Sequence, residues 1–523
     1  TAAGRFERHP VTRPATHILR LLRWGRTLAR HGALRGIEAD TNAPAGVRRL
    51  ARLARIGVTT PAVPRYAEAF EAIGPAAIKL GQALATRPDL VGPEAAHDLA
   101  RLQDALPPLP FADVEAALTT AYEGPWTQHF AHIDPVAVGA ASIAQVHRGR
   151  THDGRDVAIK VLRPGIEAEM AQSIETYEWA AAHAETLGGE FARLRPRAVI
   201  ASFKAWTFAE LDLRREAASA SELKAAMIAE PDFLVPDVDW ALTTRRVLVI
   251  DWIGGVKMSD RAAVDALGLD RKALASTLVR SFLRQAIGEG FFHADMHQGN
   301  LFVIPPGGGT EHPRIGVIDF GIMGRLDRRA RVYLAEIIYG LLTGNYRRVA
   351  EIHFEAGYVP AHHDIGEFAT ALRAVGEPIR GLATRDISIA NLLDGLFAIT
   401  RAFDMAVQPH LLLLQKTMVM VEGVALSLDP DLNMWNAAEP YVAAWMRDEL
   451  SPEARLADSI VLNWRGLRQL PRILRQLADR VPVEGAAPPQ PPLPPLPDAP
   501  SRWPIVVVGS VMLAVGVVVG WLI

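Results

Sequence analysis

The sequence predicts an α+β fold of two lobes, preceded by a helical extension and followed by a transmembrane helix. Three observations predict it. Short apolar runs bounded by turn-forming residues occupy the middle of the chain, segments with helical periodicity lie on either side, and the last 20 residues carry no charge. At 523 residues the chain is too long for one compact core, so we expect two packed domains with accessory segments.

The composition excludes several classes of function. A content of 49% hydrophobic and 22% charged residues fits a folded protein, and a net charge of -2 gives no reason to expect a nucleic-acid partner. Cysteine is absent, which excludes disulfides, thiolate metal sites and cysteine nucleophiles. Most of the 56 basic residues are arginine, so a lysine inside a motif is informative.

The N-terminal region contains a basic amphipathic segment. From Ile18 to Ile37, arginine recurs every three or four residues between Leu and Trp, which predicts an amphipathic helix. Such a helix would lie on a membrane surface, or pack against the folded body with its arginines solvated. The pattern leaves both interpretations open.

Residues 134–165 predict a strand, a turn of small residues, a second strand and a third strand that carries Lys160. Protein kinases carry a phosphate-binding loop and a phosphate-contacting lysine in this order, and the sequence VAIK ending at Lys160 matches the lysine strand. Alanines replace two of the expected glycines, so the loop should cradle phosphates differently. The nucleotide-binding residues expected here are Val138, Gly139, Ala140, Ala141, Ser142, Val146 and Lys160.

Residues 207–223 predict one helix that carries three acidic residues within two turns, namely Glu210, Asp212 and Glu216. One of them could pair with Lys160. Acidic residues on a helix are usually only solvated, and the helical pattern alone does not choose among these three.

The most specific pattern lies between residues 291 and 321. Two apolar runs, 301–304 and 315–318, flank a turn-forming segment and predict a hairpin. Before it stands H-x-D-x-x-x-x-N, ending at Asn300, and after it D-F-G, beginning at Asp319. This is the spacing of a kinase catalytic loop and its metal-binding motif.

Phosphoryl transfer needs a carboxylate near the attacking hydroxyl and oxygen ligands for the magnesium ion that bridges the phosphates of ATP. We therefore expect Asp295 to act as the base or orienting carboxylate, and Asn300 and Asp319 to bind Mg²⁺. A zinc cluster of His293, Asp295 and His297 is an alternative, but it leaves the asparagine and the D-F-G motif unexplained.

The C-terminal segment 504–523 is uncharged, and about 20 residues at about 1.5 Å each span roughly 30 Å, one hydrocarbon core. Arg502, Trp503 and Trp521 would lie at the two interfaces. A buried helix of a soluble protein is the alternative. The G-x-x-x-G pair in this segment would allow a homodimer.

A proline-rich stretch at 481–503 predicts an extended tether between the body and the membrane. Upstream of it, arginines recur at helical spacing between Arg465 and Arg475. By the positive-inside rule they place the body on the cytoplasmic side of a bacterial inner membrane or the matrix side of a mitochondrial one.

From about Tyr66 to beyond Gly321 the chain resembles the UbiB family of atypical kinase-like proteins associated with ubiquinone biosynthesis. The family's K-x-G-Q motif is present as Lys79, Gly81 and Gln82. The family's usual H-x-D-P-H-P-G-N appears with Met296 and Gln298 in place of its two prolines.

The resemblance implies further assignments. Glu210 and Asp212 would form the E-x-D motif that takes part in binding metal and nucleotide, and Lys79 would contact these acids. Glu216 would be the partner of Lys160. The K-x-G-Q extension would fold over the active site, and backbone groups near Asp251 and Ile253 would meet the adenine.

We therefore expect an ATP- and Mg²⁺-dependent enzyme, a phosphotransferase or ATPase that supports coenzyme Q assembly by handling lipophilic intermediates. Its expected partners are membrane lipids, quinone precursors and other quinone-biosynthesis proteins. The expected domains are the extension 1–128, the N-lobe 129–253, the C-lobe 254–480, the linker 481–503 and the transmembrane helix 504–523. Alternative functions are a nucleotide-binding pseudokinase scaffold and a small-molecule phosphotransferase of the aminoglycoside type.

Overall fold

A computed structural model describes residues 14–39, 45–85, 91–102, 107–186, 195–307, 312–377, 398–400, 402–405 and 409–449. These residues divide into two compact units. The first holds the described residues up to Ala217 together with Val238–Trp252, and the second holds Ala218–Asp237 and the described residues from Ile253 onward. The predicted linker, the transmembrane helix 504–523 and the arginines between Arg465 and Arg475 lie outside the described residues.

The first unit contains helices that build much of its core. They are α1 (Pro14–Arg30), α2 (Arg35–Ala39), α3 (Ala45–Arg55), α4 (Tyr66–Ile73), α5 (Pro75–Ala85), α6 (Pro93–Leu99), α7 (Phe111–Tyr122), α8 (Ile166–Thr186) and α9 (Pro196–Glu210). Helix α10 (Leu213–Ala226) follows α9 and continues past the last residue of this unit at Ala217.

Helix α1 decides between the two interpretations of the amphipathic segment. Its residues His17, Leu21, Trp24 and Leu28 recur at helical spacing and are buried. The Trp24 ring lies 5.1 Å from the ring of Tyr177 on α8, so this face packs against the body of the unit. The predicted single helix over 18–37 is wrong in extent, because a turn at residues 31–34 separates α1 from α2.

The first unit contains an antiparallel sheet in the order β1-β3-β4-β6, with β2 paired to β3. Its strands are β1 (Phe130–Ile133), β2 (Gly139–Ala140), β3 (Ala144–Thr151), β4 (Asp156–Leu162) and β6 (Val247–Asp251). On β4, alternate residues Val157, Ile159 and Val161 are buried against the apolar face of α7. Lys160 lies between them in sequence and therefore projects from the opposite face of the sheet.

The second unit holds a four-stranded sheet in the order β5-β10-β9-β7 and a two-stranded pair, β11-β8. The strands are β5 (Phe233–Leu234), β7 (Val256–Lys257), β8 (Phe291–His293), β9 (Leu301–Ile304), β10 (Arg314–Val317) and β11 (Met323–Arg325). The predicted hairpin is confirmed: β9 and β10 pair antiparallel with Val317 opposite Leu301 and Arg314 opposite Ile304.

Within the described residues, the helices of the second unit confirm the helical periodicity that the sequence predicts on the C-terminal side of the apolar runs. Asp or Asn side chains accept backbone N–H bonds at the starts of α11, α12, α13, α14 and α15, which satisfies donors that a helix leaves unpaired. The bounds are α11 (Arg261–Ala266), α12 (Arg271–Leu283), a π-helical turn (Arg284–Glu289), α13 (Arg328–Thr343), α14 (Tyr346–Glu355), α15 (Ile365–Gly376), α16 (Pro409–Leu428) and α17 (Met434–Glu449).

One helix in the described part is long and apolar enough to cross a membrane by length and composition alone, the segment Leu411–Leu428 of α16. About a third of this segment is buried inside the protein. A core helix of a soluble protein meets the same criteria. This segment is a different one from the predicted span at 504–523.

Candidate active site

The first unit brings Lys160 and Glu216 together. The Lys160 Nζ donates to Glu216 Oε1 at 2.7 Å and to Oε2 at 2.9 Å. The lysine stands on β4 and the glutamate in the first turn of α10, and their side chains are only 17% and 10% exposed. Of the three acids between 207 and 223, the structure therefore places Glu216 against the lysine.

The predicted phosphate loop is a tight turn between β2 and β3. Val138 N donates to Val146 O at 2.8 Å, and Ala141 N donates to Ala144 O at 2.7 Å. None of the four loop residues from Gly139 to Ser142, all of them described, has a positive φ. Alanine therefore fits where a loop with left-handed backbone would require glycine.

Arg163, which the motifs in the sequence did not indicate, holds this loop in place by hydrogen bonds. Its Nε donates to the carbonyl of Ala141 at 3.0 Å, and its Nη2 donates to the carbonyl of Pro107 at 2.9 Å. The signal was present in the sequence, since this arginine follows Lys160 by three residues. The guanidinium thus ties the loop to the chain that leaves the N-terminal helices.

A buried polar chain supports the same strand. Leu109 N donates to Gln145 Oε1 at 2.9 Å, and Gln145 Nε2 lies 2.8 Å from His147 Nε2. His147 Nδ1 lies 2.7 Å from the carbonyl of Asp134, so Nδ1 donates there and Nε2 accepts from the glutamine. Burial lowers the pKa of His147, which keeps the ring neutral in this arrangement.

The segment expected to meet adenine runs out of β6. Asp251 is the last residue of β6, and the amide of Trp252 donates to Asp156 O at 3.0 Å, which extends the pairing of β4 with β6 by one bond. Arg155 Nη1 lies 3.7 Å from Asp251 Oδ1. The Trp252 amide is thus used by the sheet, and Ile253 is the first residue of the second unit in this part of the chain.

The K-x-G-Q helix, α5, lies in the first unit beside the predicted E-x-D acids. Lys79 Nζ is 3.2 Å from Glu210 Oε2, and both side chains are at most 10% exposed. The ammonium group also lies 5.6 Å from the centre of the Trp206 ring, within the range of a cation–π interaction. A buried ion pair thus joins α5 to the end of α9.

The glycine of this motif has a steric reason. A Cβ at Gly81 would stand 2.8 Å from a ring carbon of Phe70 and would overlap a methyl group of Leu102 more severely. Any side chain here would therefore push α5 away from its neighbours. Gln82 is partly buried on the same helix.

The predicted single helix over 207–223 is wrong, because the chain breaks between α9 and α10 at Leu211 and Asp212. The Asp212 carboxylate accepts from Arg214 Nε at 2.8 Å and from Arg214 Nη2 at 2.6 Å. These hydrogen bonds lower the pKa of Asp212. The break separates the two E-x-D acids, since Glu210 ends α9 and pairs with Lys79 while Asp212 precedes α10.

Replacing Lys79 by alanine is expected to lower the free energy of unfolding of the chain by about 3 kcal/mol, because Glu210 is left buried without its cation. Chemical denaturation measures this loss, and the double variant Lys79→Met/Glu210→Gln should recover most of it.

If the K-x-G-Q motif also selects the nucleotide, Lys79→Ala shifts the ratio of ATP to ADP affinity. Unchanged affinities for both nucleotides would count against that role.

In the second unit the hairpin brings Asn300 and Asp319 to the same end. Val317 is opposite Leu301, and the amide of Ile318 donates to Asn300 O at 3.0 Å, so Asp319 follows directly. Asn300 Nδ2 donates to the carbonyl of Asp295 at 3.1 Å, and its amide oxygen is the atom of this side chain that could bind a cation. A carboxylate and an amide oxygen at one hairpin end are ligands that fit Mg²⁺.

His293 organises this end, a role that the sequence interpretation missed. Its Nε2 donates to the carbonyl of Asp319 at 2.8 Å, and its Nδ1 accepts from the amide of Asp295 at 3.2 Å. Its own amide donates to Gln285 Oε1 on the π-helical turn at 3.0 Å. Because both ring nitrogens are used, this geometry does not support the alternative zinc cluster.

The same histidine holds an unusual backbone. Asp319 has φ +65°, a left-handed conformation that non-glycine residues rarely adopt. Burial lowers the pKa of His293, so the ring stays neutral with its proton on the nitrogen that faces the Asp319 carbonyl. The Asp319 carboxylate is therefore carried on a strained backbone, and the neutral ring of His293 stabilises that backbone.

Met296 and Gln298, which stand where the resembled family carries proline, are both anchored. The Met296 side chain is fully buried, and Gln298 Nε2 donates to Ser427 Oγ on α16 at 2.9 Å. The backbone restriction that proline would supply is replaced here by a buried side chain and a tertiary hydrogen bond.

Two family models match the chain: the ABC1 atypical kinase-like domain over residues 101–353 and the UbiB helical domain over residues 372–433. A probable protein kinase UbiB of Xylella fastidiosa (strain M12) is 39% identical over 411 residues, covering 79% of this chain and 73% of the relative. A probable protein kinase UbiB of Marinobacter nauticus is 38% identical over 384 residues, covering 73% and 70%.

Two solved structures are similar over much of the chain. The complex of Rv3197 with erythromycin from Mycobacterium tuberculosis has a TM-score of 0.48 at 25% identity and covers 70% of this chain and 91% of that one. The Rio2 kinase–ADP/Mg²⁺–phosphoaspartate complex from Chaetomium thermophilum has a TM-score of 0.27 at 12% identity and covers 68% and 96%.

Proposed function

This chain belongs to the UbiB family of atypical kinase-like proteins, and we propose that it is an ATP- and Mg²⁺-dependent enzyme that supports ubiquinone biosynthesis at a membrane. The observation that carries the proposal is the Lys160–Glu216 pair. Removing two charges from water costs about as much as their attraction returns, so an apolar pair would serve the fold equally well. A bound nucleotide, whose phosphates need a cation, would explain why this pair is charged.

In the first unit, Lys160 is the group that would hold the phosphates of ATP, with Glu216 fixing the direction of its ammonium. The backbone of Gly139 to Ser142, held by Arg163, would line the nucleotide. Backbone groups near Asp251 and Ile253 would meet adenine.

In the second unit, Asn300 and Asp319 are the residues that would hold Mg²⁺, which when bound neutralises charge on the transferred phosphoryl group. Asp295 would orient the acceptor and take its proton, since the backbone around it is fixed by His293 and Asn300. The hard-oxygen donor set fits the metal.

The proposed physiological role is ATP-dependent handling of lipophilic quinone precursors, beside membrane lipids and other proteins of the pathway. It is supported by the names of the curated relatives and by the apolar sequence at 504–523, which would anchor the body to the membrane.

The test measures ADP release from the full chain in lipid nanodiscs with Mg²⁺, alone and with a long-chain alkylphenol as a mimic of a quinone precursor. We expect Mg²⁺-dependent release that the phenol accelerates severalfold. Nucleotide binding without any ADP release would replace the proposal with a scaffold. Faster phosphorylation of a soluble amino alcohol would replace it with a small-molecule phosphotransferase.

A further inference from the structure

A cation from outside the H-x-D-x-x-x-x-N motif stands at the catalytic loop. Lys416 Nζ, on helix α16, lies 3.9 Å from Asp295 Oδ1. His297 Nε2 lies 3.7 Å from the other oxygen, Oδ2, of the same carboxylate. Each oxygen of Asp295 therefore faces a basic group, and one of these groups comes from a distant part of the sequence.

Helix α16 is hydrogen-bonded to the catalytic loop on both sides of Asp295 in the sequence. The hydroxyl of Thr417 donates to the carbonyl of Ala294 at 3.1 Å, one residue before Asp295. Gln298, three residues after Asp295, donates to Ser427 Oγ at 2.9 Å. The two attachment points on α16 are about 15 Å apart along the helix. The position of Lys416 is therefore set by two contacts other than its own ion pair.

The far end of α16 is also held in place. Arg271, the first residue of α12, donates from Nη2 to the carbonyl of Ser427 at 2.6 Å and from Nε to that of Leu428 at 2.9 Å. These carbonyls lack partners within their own helix, and a cation there also complements the helix dipole. The helix that carries Lys416 is thus a fixed support.

The solvent exposure of the Lys416–Asp295 ion pair indicates its role. The Lys416 side chain is 44% exposed and that of Asp295 is 25% exposed. Ion pairs with this much water access contribute little to folding. The same access leaves the ammonium open to a charged ligand.

We infer that Lys416 is a positioning residue for Asp295: it holds the carboxylate in one orientation and offsets its repulsion of the terminal phosphate of ATP. The inference rests on the proposed function, and it adds helix α16 to the machinery that handles the phosphoryl group. Without the lysine, the negative charge of Asp295 would face the phosphate with less compensation.

The test compares Lys416→Met, Lys416→Arg and a matched control, Lys272→Met, whose lysine is exposed on α12 of the same unit. In the ADP-release assay we expect Lys416→Met to lower kcat by about 10- to 100-fold and to raise KM for ATP by a smaller factor, severalfold at most. Lys416→Arg should stay within about threefold of the parent, and Lys272→Met should match it. Parental kcat in Lys416→Met would overturn the inference, as would equal losses in the Met and Arg variants.

A second measurement separates this inference from the proposed function. If the parent shows no turnover, the proposed function fails, and Lys416 is judged by nucleotide binding alone. Lys416→Met should then weaken ATP relative to ADP by at least about threefold, and Lys416→Met/Asp295→Asn should restore the parental ratio. A ratio that is unchanged in the single variant, or not restored in the double variant, would overturn the inference.

Discussion

Replacing Asp319 by asparagine is expected to lower Mg²⁺-dependent ADP release about 1,000-fold. The change removes the one negative charge that we assign to the metal while keeping the size of the side chain. The fold should be retained, because asparagine also tolerates the left-handed backbone at this position and the bond from His293 goes to the main-chain carbonyl. ADP release and thermal unfolding, measured on the same preparation, check both parts.

The matched control for this variant is Asp237→Asn in the same unit. Asp237 is 66% exposed and pairs with Lys224 at 2.5 Å, so its loss should change neither turnover nor stability appreciably. If Asp319→Asn and the control both release ADP at the parental rate, Asp319 does not serve catalysis and the turnover belongs elsewhere.

Replacing Lys160 by methionine is the second change with a large expected effect. We expect ADP release to fall at least about 100-fold, because the phosphates lose their cation. The free energy of unfolding should also fall by about 3 kcal/mol, since the buried Glu216 carboxylate loses the ammonium group of Lys160. The double variant Lys160→Met/Glu216→Gln should recover most of the stability and none of the turnover, which separates the two effects.

Lys204→Met is the control for Lys160→Met. Its ammonium pairs with Glu178 at 2.9 Å, a geometry like that of Lys160 and Glu216, but both of these side chains are more than 40% exposed. Its removal should cost less than about 1 kcal/mol and leave turnover unchanged. Full ADP release in Lys160→Met would show that this lysine does not hold the phosphates.

Local patterns in the sequence were enough to predict the parts of the fold that depend on neighbouring residues. The alternation of β4, the hairpin of β9 and β10 and the helices after residue 325 each follow from periodicity or turn chemistry within a short window. The extent of helices was less accurate: the turn after α1 and the break at Leu211 were missed, because tertiary packing overrides helix propensity there.

The spacing of motifs predicted which residues form the candidate site. H-x-D-x-x-x-x-N followed by D-F-G located Asp295, Asn300 and Asp319 because the chemistry of phosphoryl transfer fixes those residue types at those intervals. The glycine of K-x-G-Q was found by resemblance, and its reason, a close approach of Phe70 and Leu102, became visible only in three dimensions.

Only the tertiary structure decided which side chains meet. Lys160 and Glu216 are 56 positions apart, and Gln298 and Ser427 are 129 apart. The contacts of His293 with Asp319 and of Lys416 with Asp295 likewise depend on how separate elements pack. A sequence window encodes the preference of each element for helix or strand, whereas the partner of a buried charge is set by the burial of apolar faces across a whole unit.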